Sequence, residues 1–192
     1  MSTIRRVVTG HRPDGRSIVA SDKEVTGTAL PGRSGAVLTT LWGADDTLTY
    51  PDAGGEPRHH EWFPPIGGFR CIDFVLPPDR TTPPDADPQA SAAAIERLFP
   101  GLLATMRPED PGMHRSATVD VLYVVAGRCV LELDDGSRTE LGAGDVIVQS
   151  GTMHRWHNPW EEPCRIIGML AGVYPAFKGA RLDPIVALTN AM

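Results

Sequence analysis

The sequence predicts an all-β domain with one short helix. It holds 20 glycines and 18 prolines among 192 residues, which indicates many turns. The apolar runs between these turns are short and rich in β-branched and aromatic residues, as strands require. An Asp-Asp-Gly-Ser sequence at 134–137 separates two such runs and predicts a tight hairpin.

Four strands are expected in the N-terminal part, over 4–11, 17–25, 37–42 and 69–76. The first two are joined by Arg12-Pro13-Asp14-Gly15, in which proline presets φ and glycine supplies a positive φ. Residues 43–60 are polar and rich in glycine, and they predict a long loop. Residues 79–88 carry several Pro and Asp residues and are expected to be irregular.

The hydrophobic period then changes from two to that of a helix. Asp87 followed by Pro88 is typical of an N-cap and a first helical position. Apolar residues recur at helical spacing from Ile95, and Pro100-Gly101 predicts an end near Phe99. This helix is expected outside the β body or over its mouth.

The chemistry concentrates between Pro111 and Asn158. Residues 119–126 read as a strand, and the alternation of side chains, extended backwards, places His114, Ser116 and Asp120 on one face. Strands follow at 128–133, 138–141, 146–149, 154–158 and 164–173. If His154 lies on the same face, two imidazoles and a carboxylate form a known set of metal ligands that leaves coordination positions open for substrate.

These residues resemble the cupin family. Gly112, His114, Asp120 and Gly127 match the first cupin motif in order, with Ser116 in place of its second His and Asp120 in place of its Glu. The second motif is matched by the following residues: Gly144, Asp145, Gly151, His154 and Asn158. The pattern is similar to that of a subgroup of small single-domain cupins with a His-x-Ser/Thr … Asp first motif. The resemblance implies a jelly-roll β-barrel formed by one domain.

That domain is expected to span 1–192. It would comprise N-terminal strands at 1–78, a linker and helix at 79–107, the motifs at 111–173 and a tail at 174–192 that reaches a partner subunit in a homodimer.

The metal hypothesis assigns one divalent ion, Fe, Zn, Mn or Ni, to His114, Asp120 and His154. The alternative is two satisfied core histidines, with Asp120 orienting one of them. Ser116 fills the place of the missing ligand or hydrogen-bonds a metal-bound water.

Arg70 and Trp156 complete the predicted substrate site. Arg70 shares parity with the apolar face of strand 69–76, where a guanidinium needs an anionic partner. That partner is a substrate carboxylate or an inner Asp. If the strand parity differs by one residue, Arg70 instead lies on the outer face. Trp156 lines a pocket or belongs to the core.

The composition of the chain limits the classes of partner that it is expected to bind. The net charge of −6 and the lack of a basic run argue against nucleic acid, and no apolar run is long enough to span a bilayer. The N-terminus lacks a secretory h-region, and the three cysteines are odd in number and lie in apolar contexts. Free thiols in the cytoplasm and a small-molecule substrate are therefore expected.

Three functions remain open at this point. The first is a metal-dependent lyase or isomerase, of the decarboxylation or dehydration type, acting on a small carboxylated compound. The second is a non-haem iron oxygenase with the same triad. The third is a cupin that binds a small ligand without catalysis.

Overall fold

The computed structural model describes residues 3–56, 58–81, 85 and 87–173. Within these ranges it contains one α-helix, α1 at Pro88–Leu98, and thirteen strands. The strands are β1 Thr3–His11, β2 Ser17–Thr26, β3 Thr28–Ala29, β4 Val37–Ala44, β5 Phe69–Leu76, β6 Met106–Arg107, β7 Asp110–His114, β8 Thr118–Ala126, β9 Arg128–Leu133, β10 Arg138–Gly142, β11 Val146–Ser150, β12 His154–His157 and β13 Cys164–Gly172. The all-β prediction is confirmed.

Two antiparallel sheets form the body. The five-stranded sheet runs in the order β10-β9-β12-β7-β6, and the six-stranded sheet runs β11-β8-β13-β5-β4-β3. The first two strands pair only with each other, as a separate hairpin. Strands that are adjacent in sequence therefore often lie in different sheets, as in a jelly roll.

The core lies between the two sheets. Buried and exposed residues alternate along β8 and β13, so that Leu122 and Val124 of β8 meet Ile166 of β13 inside. From the other sheet, Cys129 and Trp156 pack into the same cluster. The period-two alternation in the sequence thus turns one face of each sheet inward.

The helix begins and ends where the sequence predicts. The side chain of Asp87 accepts a hydrogen bond from the backbone N–H of Ala90 at 3.0 Å, and Pro88 occupies the first turn. Just beyond the helix, Phe99 and Leu102 pack with Leu38 and Trp62 in a second buried cluster. The segment that follows the helix therefore packs against β4.

The stretch before β8 is folded differently from the prediction. The predicted alternation extends from Asp120 back to His114 as if one strand continued, but β7 ends at His114 and β8 begins at Thr118. The two strands lie in different sheets. The short strands β3 and β6 were also not predicted, because two residues carry too little pattern.

All three cysteines are free thiols, and Cys129 and Cys164 are fully buried. No helix within the described part of the chain is long and apolar enough to cross a membrane. The predicted tail at 174–192 lies outside the described residues.

Candidate functional site

A cavity of about 140 Å³ lies between the two sheets. Most of its wall is apolar and includes Trp62, Phe63, Phe74 and Trp156. The polar and charged lining side chains come from several elements: Arg33, His114, Ser116, Asp120 and His154. The cavity therefore joins a small cluster of polar groups to a largely hydrophobic space, as ligand sites commonly do.

Two histidines form the centre of the polar cluster. His154 of β12 lies directly opposite His114 of β7 in the five-stranded sheet. Their ring centroids are 4.2 Å apart. The two rings are thus cross-strand neighbours that face the same side of the sheet.

Each imidazole is oriented by a backbone carbonyl. Nδ1 of His114 lies 2.9 Å from the carbonyl oxygen of Gly112, and Nδ1 of His154 lies 2.9 Å from that of Thr152. A carbonyl only accepts hydrogen bonds, so each Nδ1 carries the proton and each Nε2 is left as an acceptor. The local hydrogen bonds therefore prepare both rings to receive a proton donor or an electrophile.

Burial keeps both rings neutral. It lowers the pKa of His154 to about 3, and the neighbouring His114 contributes to this lowering. Burial also lowers the pKa of His114, and the positive charge of Arg33 acts in the same direction. At neutral pH the pair is uncharged and basic only at Nε2.

Asp120 enters the cavity from the six-stranded sheet. Its side chain is 7% exposed, and within the described residues its Oδ1 has no hydrogen-bond partner. Burial raises its pKa to about 6, against the opposing effect of Thr118. A buried carboxyl poised near neutral pH is typical of an acid–base group.

Gln149 lies beside Asp120 and was not singled out from the sequence. The two residues are register partners on β11 and β8, and Gln149 is also buried. Both its Nε2 and its Oε1 lack a partner among the described residues. Unsatisfied buried polar groups are costly, so their presence at one place points to a ligand or an ordered water. The shared parity of Gln149 and Ile147 was the signal that could have revealed it.

Residues 102–170 match the family model described as a cupin domain, and this segment contains both histidines and Asp120. This part of the chain belongs to the cupin superfamily. The predicted family is thereby confirmed.

Named relatives cover the chain unequally. The cupin is 25% identical over 159 residues to the cupin-domain-containing oxidoreductase fogC of Aspergillus ruber, an alignment that covers 82% of this chain and 66% of that protein. It is 44% identical over 50 residues to oryzines biosynthesis cluster protein J of Aspergillus oryzae, covering 26% of this chain and 28% of the relative. The chain thus matches less than two thirds of the length of either relative.

Solved structures with similar folds include two proteins of different activity. A predicted oxalate decarboxylase from Thermotoga maritima is 14% identical, with a TM-score of 0.42 over 78% of this chain and 94% of that one. The polyketide cyclase RemF from Streptomyces resistomycificus is 17% identical, with a TM-score of 0.41 over 78% and 80%.

The described residues of this cupin do not assemble a three-ligand metal site. No group of three or more His, Cys, Asp or Glu side chains within them is arranged to hold an ion. His114 and His154 are brought together as predicted, but Asp120 belongs to the opposite sheet, and Ser116 binds Thr118 through their hydroxyl oxygens at 2.6 Å. Two imidazoles are fewer ligands than either a structural or a catalytic zinc site normally uses. The three predicted ligands line one cavity but are not gathered into a metal-holding group among the described residues, so the three-ligand set stays a prediction.

Arg70 is buried as predicted, but its partners are protein groups. Its guanidinium pairs with Asp45 and donates to the carbonyl oxygens of Ala44, Phe69 and Glu61. It lies outside the set of described residues that line the cavity. The long loop after β4 supplies Asp45. The expectation that Arg70 binds a substrate carboxylate in the cavity is therefore corrected. The contacts of Arg70 are those of the alternative, in which it pairs with an inner Asp.

Ser116 and Trp156 do line the cavity, and Trp156 also belongs to the core cluster. The rings of Trp156 and His154 meet edge to face, with centroids 5.9 Å apart at 83°. Sequence reasoning missed Arg33, which lies in the turn between β3 and β4. Nothing in the local Pro-Gly-Arg-Ser-Gly sequence distinguishes Arg33 from any exposed turn arginine.

Proposed function

We propose that this cupin is an acid–base enzyme that moves a proton within a small, largely apolar substrate, as a lyase or isomerase. The observation that carries the proposal is Asp120, a buried carboxyl in the cavity with a pKa of about 6 and an unpartnered Oδ1. At neutral pH such a group is mostly ionised and can accept a proton. Its conjugate acid is also strong enough to return that proton to another atom.

The histidine pair would hold the substrate rather than protonate it. With Nδ1–H bonded to a carbonyl, each Nε2 can accept a hydrogen bond from a hydroxyl or enol of the substrate. A pKa of about 3 makes His154 too acidic when protonated to carry a proton at neutral pH. Asp120 is therefore assigned both the removal and the return of the proton, and the histidines are assigned orientation.

The apolar wall would exclude water and receive the body of the substrate. Trp62, Phe63 and Phe74 supply much of this surface. An apolar cavity of about 150 Å³ is known to accommodate a benzene ring, so a volume of about 140 Å³ suits one six-membered ring. In such surroundings the ionised carboxylate of Asp120 is poorly solvated, which strengthens it as a base.

Proton exchange in D₂O tests this assignment without knowledge of the natural substrate. Ring-sized carbonyl compounds such as phenylpyruvate would be followed by NMR for loss of the proton next to the carbonyl. We expect wild type to accelerate the exchange, Asp120→Asn to abolish the acceleration, and the rate to rise as pH increases through about 6. Acceleration that survives in Asp120→Asn would contradict the role of Asp120. Binding with no exchange by any compound would favour a non-catalytic ligand-binding cupin.

A second candidate is a metal-dependent oxidoreductase, of the non-haem iron oxygenase type. It is favoured by the name of the relative fogC and by the two Nε2 atoms in one cavity, since metal-bound histidines commonly donate Nδ1–H to a carbonyl. Elemental analysis beside oxygen uptake separates the two candidates. About one iron per chain, lost in His114→Ala, would support the second, whereas exchange activity that resists EDTA would support the first.

A further inference from the structure

We propose that Arg33 is the anion-recognising residue of the cavity and that the ligand is a small, mainly apolar molecule bearing one carboxylate. The inference rests on the proposed function only for taking the cavity as the ligand site. It adds the chemical class of the ligand and a residue that selects it.

The backbone holds Arg33 at the cavity. In the turn between β3 and β4, the N–H of Arg33 donates to the carbonyl of Leu30 at 3.2 Å, and the carbonyl of Arg33 accepts from Ala36 at 3.1 Å. Gly32 and Gly35 flank it at φ of 73° and 82°, in the left-handed region that glycine tolerates. A turn bonded in this way gives the side chain a defined starting direction.

The guanidinium of Arg33 is partly buried, and its positive charge is only weakly balanced by a nearby carboxylate. Its side chain is 31% exposed, and within the described residues it forms an ion pair with Asp79, at 3.8 Å between Nη2 and Oδ1. That separation is about 1 Å longer than a charge-assisted hydrogen bond. The other oxygen of Asp79 already accepts from the backbone N–H of Asn158 at 3.1 Å. Among the described residues, most of the five donors of Arg33 are therefore left for a ligand.

Desolvation is consistent with this interpretation. Burial lowers the pKa of Arg33, and the charge of Asp79 offsets this only in part. The group remains cationic at neutral pH because arginine titrates far above it. A carboxylate placed against Arg33 would restore the lost solvation through two parallel hydrogen bonds.

The charges in the lining also favour an anion near Arg33. The histidines are neutral, so among the described lining residues Arg33 is the one cation and Asp120 the one acid. The rest of the wall beside Arg33 is apolar, including Leu30, Leu38 and Trp62. A ligand with one anionic end and a ring-sized apolar body matches both features.

Calorimetric titration with benzoate and with benzyl alcohol tests the inference. The two probes share the ring, and only benzoate carries the anion. We expect Arg33→Gln to weaken benzoate binding by about 10- to 100-fold, in line with the loss of charge-assisted hydrogen bonds. Benzyl alcohol binding should change by less than about 2-fold, and Arg33→Lys should recover only part of the benzoate affinity because it lacks the planar pair of donors.

Arg107→Gln is the matched control. Arg107 is equally exposed at 32%, and its ion pairs with described residues are also long, at 3.6 and 3.9 Å, but it lies outside the lining set. We expect it to bind both probes as wild type does. Equal loss of both probes in Arg33→Gln, an unchanged benzoate affinity, or no benzoate binding to wild type would each overturn the proposal. Because binding and not turnover is measured, these results are independent of the Asp120 exchange assay.

Discussion

Replacing Asp120 with Asn should stabilise the protein at neutral pH. The carboxyl is buried, and burial raises its pKa from 3.8 to about 6. Each pKa unit corresponds to about 1.4 kcal/mol, so the shift of about two units makes ionised Asp120 cost about 3 kcal/mol of folding free energy. Asn has nearly the same shape and cannot ionise, which removes this cost.

The stability gained by Asp120→Asn depends on pH in a defined direction. Between pH 3.8 and about 6 the native state binds more protons at Asp120 than the unfolded state does, so the penalty grows as pH rises through this window. It is complete above about pH 6 and absent well below 3.8. The advantage of Asp120→Asn over wild type should therefore fall from about 3 kcal/mol at pH 7.5 to about 1 kcal/mol at pH 4.5.

Urea unfolding of wild type and Asp120→Asn at these two pH values measures the difference. EDTA in all samples keeps adventitious metal out of the comparison. Burial lowers the pKa of His154 to about 3, so His154 destabilises both proteins in acid. This effect is common to wild type and Asp120→Asn and cancels in the difference between their free energies of unfolding. Asp46→Asn is the control, because it removes the same charge from an exposed position. An Asp120→Asn variant that is no more stable at pH 7.5, or whose advantage is the same at both pH values, would refute the reasoning.

Three further predictions follow from the packing. Arg70→Met should lower the free energy of unfolding by about 3 kcal/mol in urea, because it leaves Asp45 without its cationic partner, and should leave benzoate affinity unchanged. A lower affinity would return Arg70 to the site. Gly127→Ala should cost about 2 kcal/mol more than Gly136→Ala in thermal unfolding, since both have a positive φ but only at Gly127 would the new Cβ clash, with the Pro163 carbonyl. Equal losses would show that the close approach is relieved. We also predict a homodimer through the outer face of β8, β11 and β13, where apolar side chains such as Val148, 65% exposed, form a patch whose charged member, Arg165, is paired with Asp73. Sedimentation should show a dimer that Val148→Lys disrupts, and a wild-type monomer would exclude it.

Much of the fold could be predicted because it depends on local patterns. Strand β5 was predicted over its observed range of 69–76, and α1 begins at Pro88 after the Asp87 cap. In both cases the signal is contained within a few consecutive residues, as period-two alternation or as a cap and helical spacing. The break between His114 and Thr118 was missed, since a chain that changes sheets keeps the same composition while its hydrogen-bond partners change.

The candidate site shows the same division. His114, Asp120 and His154 were found from motif order, and all three line the cavity. The arrangement of these three residues could not be predicted from motif order, because the distance between residues in opposite sheets depends on how the sheets pack. Arg70 was interpreted as a ligand anchor because its own strand shows an arginine on an apolar face, whereas Asp45 that pairs with it comes from a separate loop.

The sequence by itself therefore determined the all-β fold, the cupin family and the residue types that could carry chemistry, because each is encoded in local order and spacing. Only the tertiary structure decided which of these side chains share a cavity and which have partners. It turned Arg33 toward the cavity and Arg70 toward Asp45, and it buried Asp120 without a partner for Oδ1 among the described residues. The physical reason is that burial, charge pairing and pKa depend on neighbours distant in the chain, and packing alone brings those neighbours together.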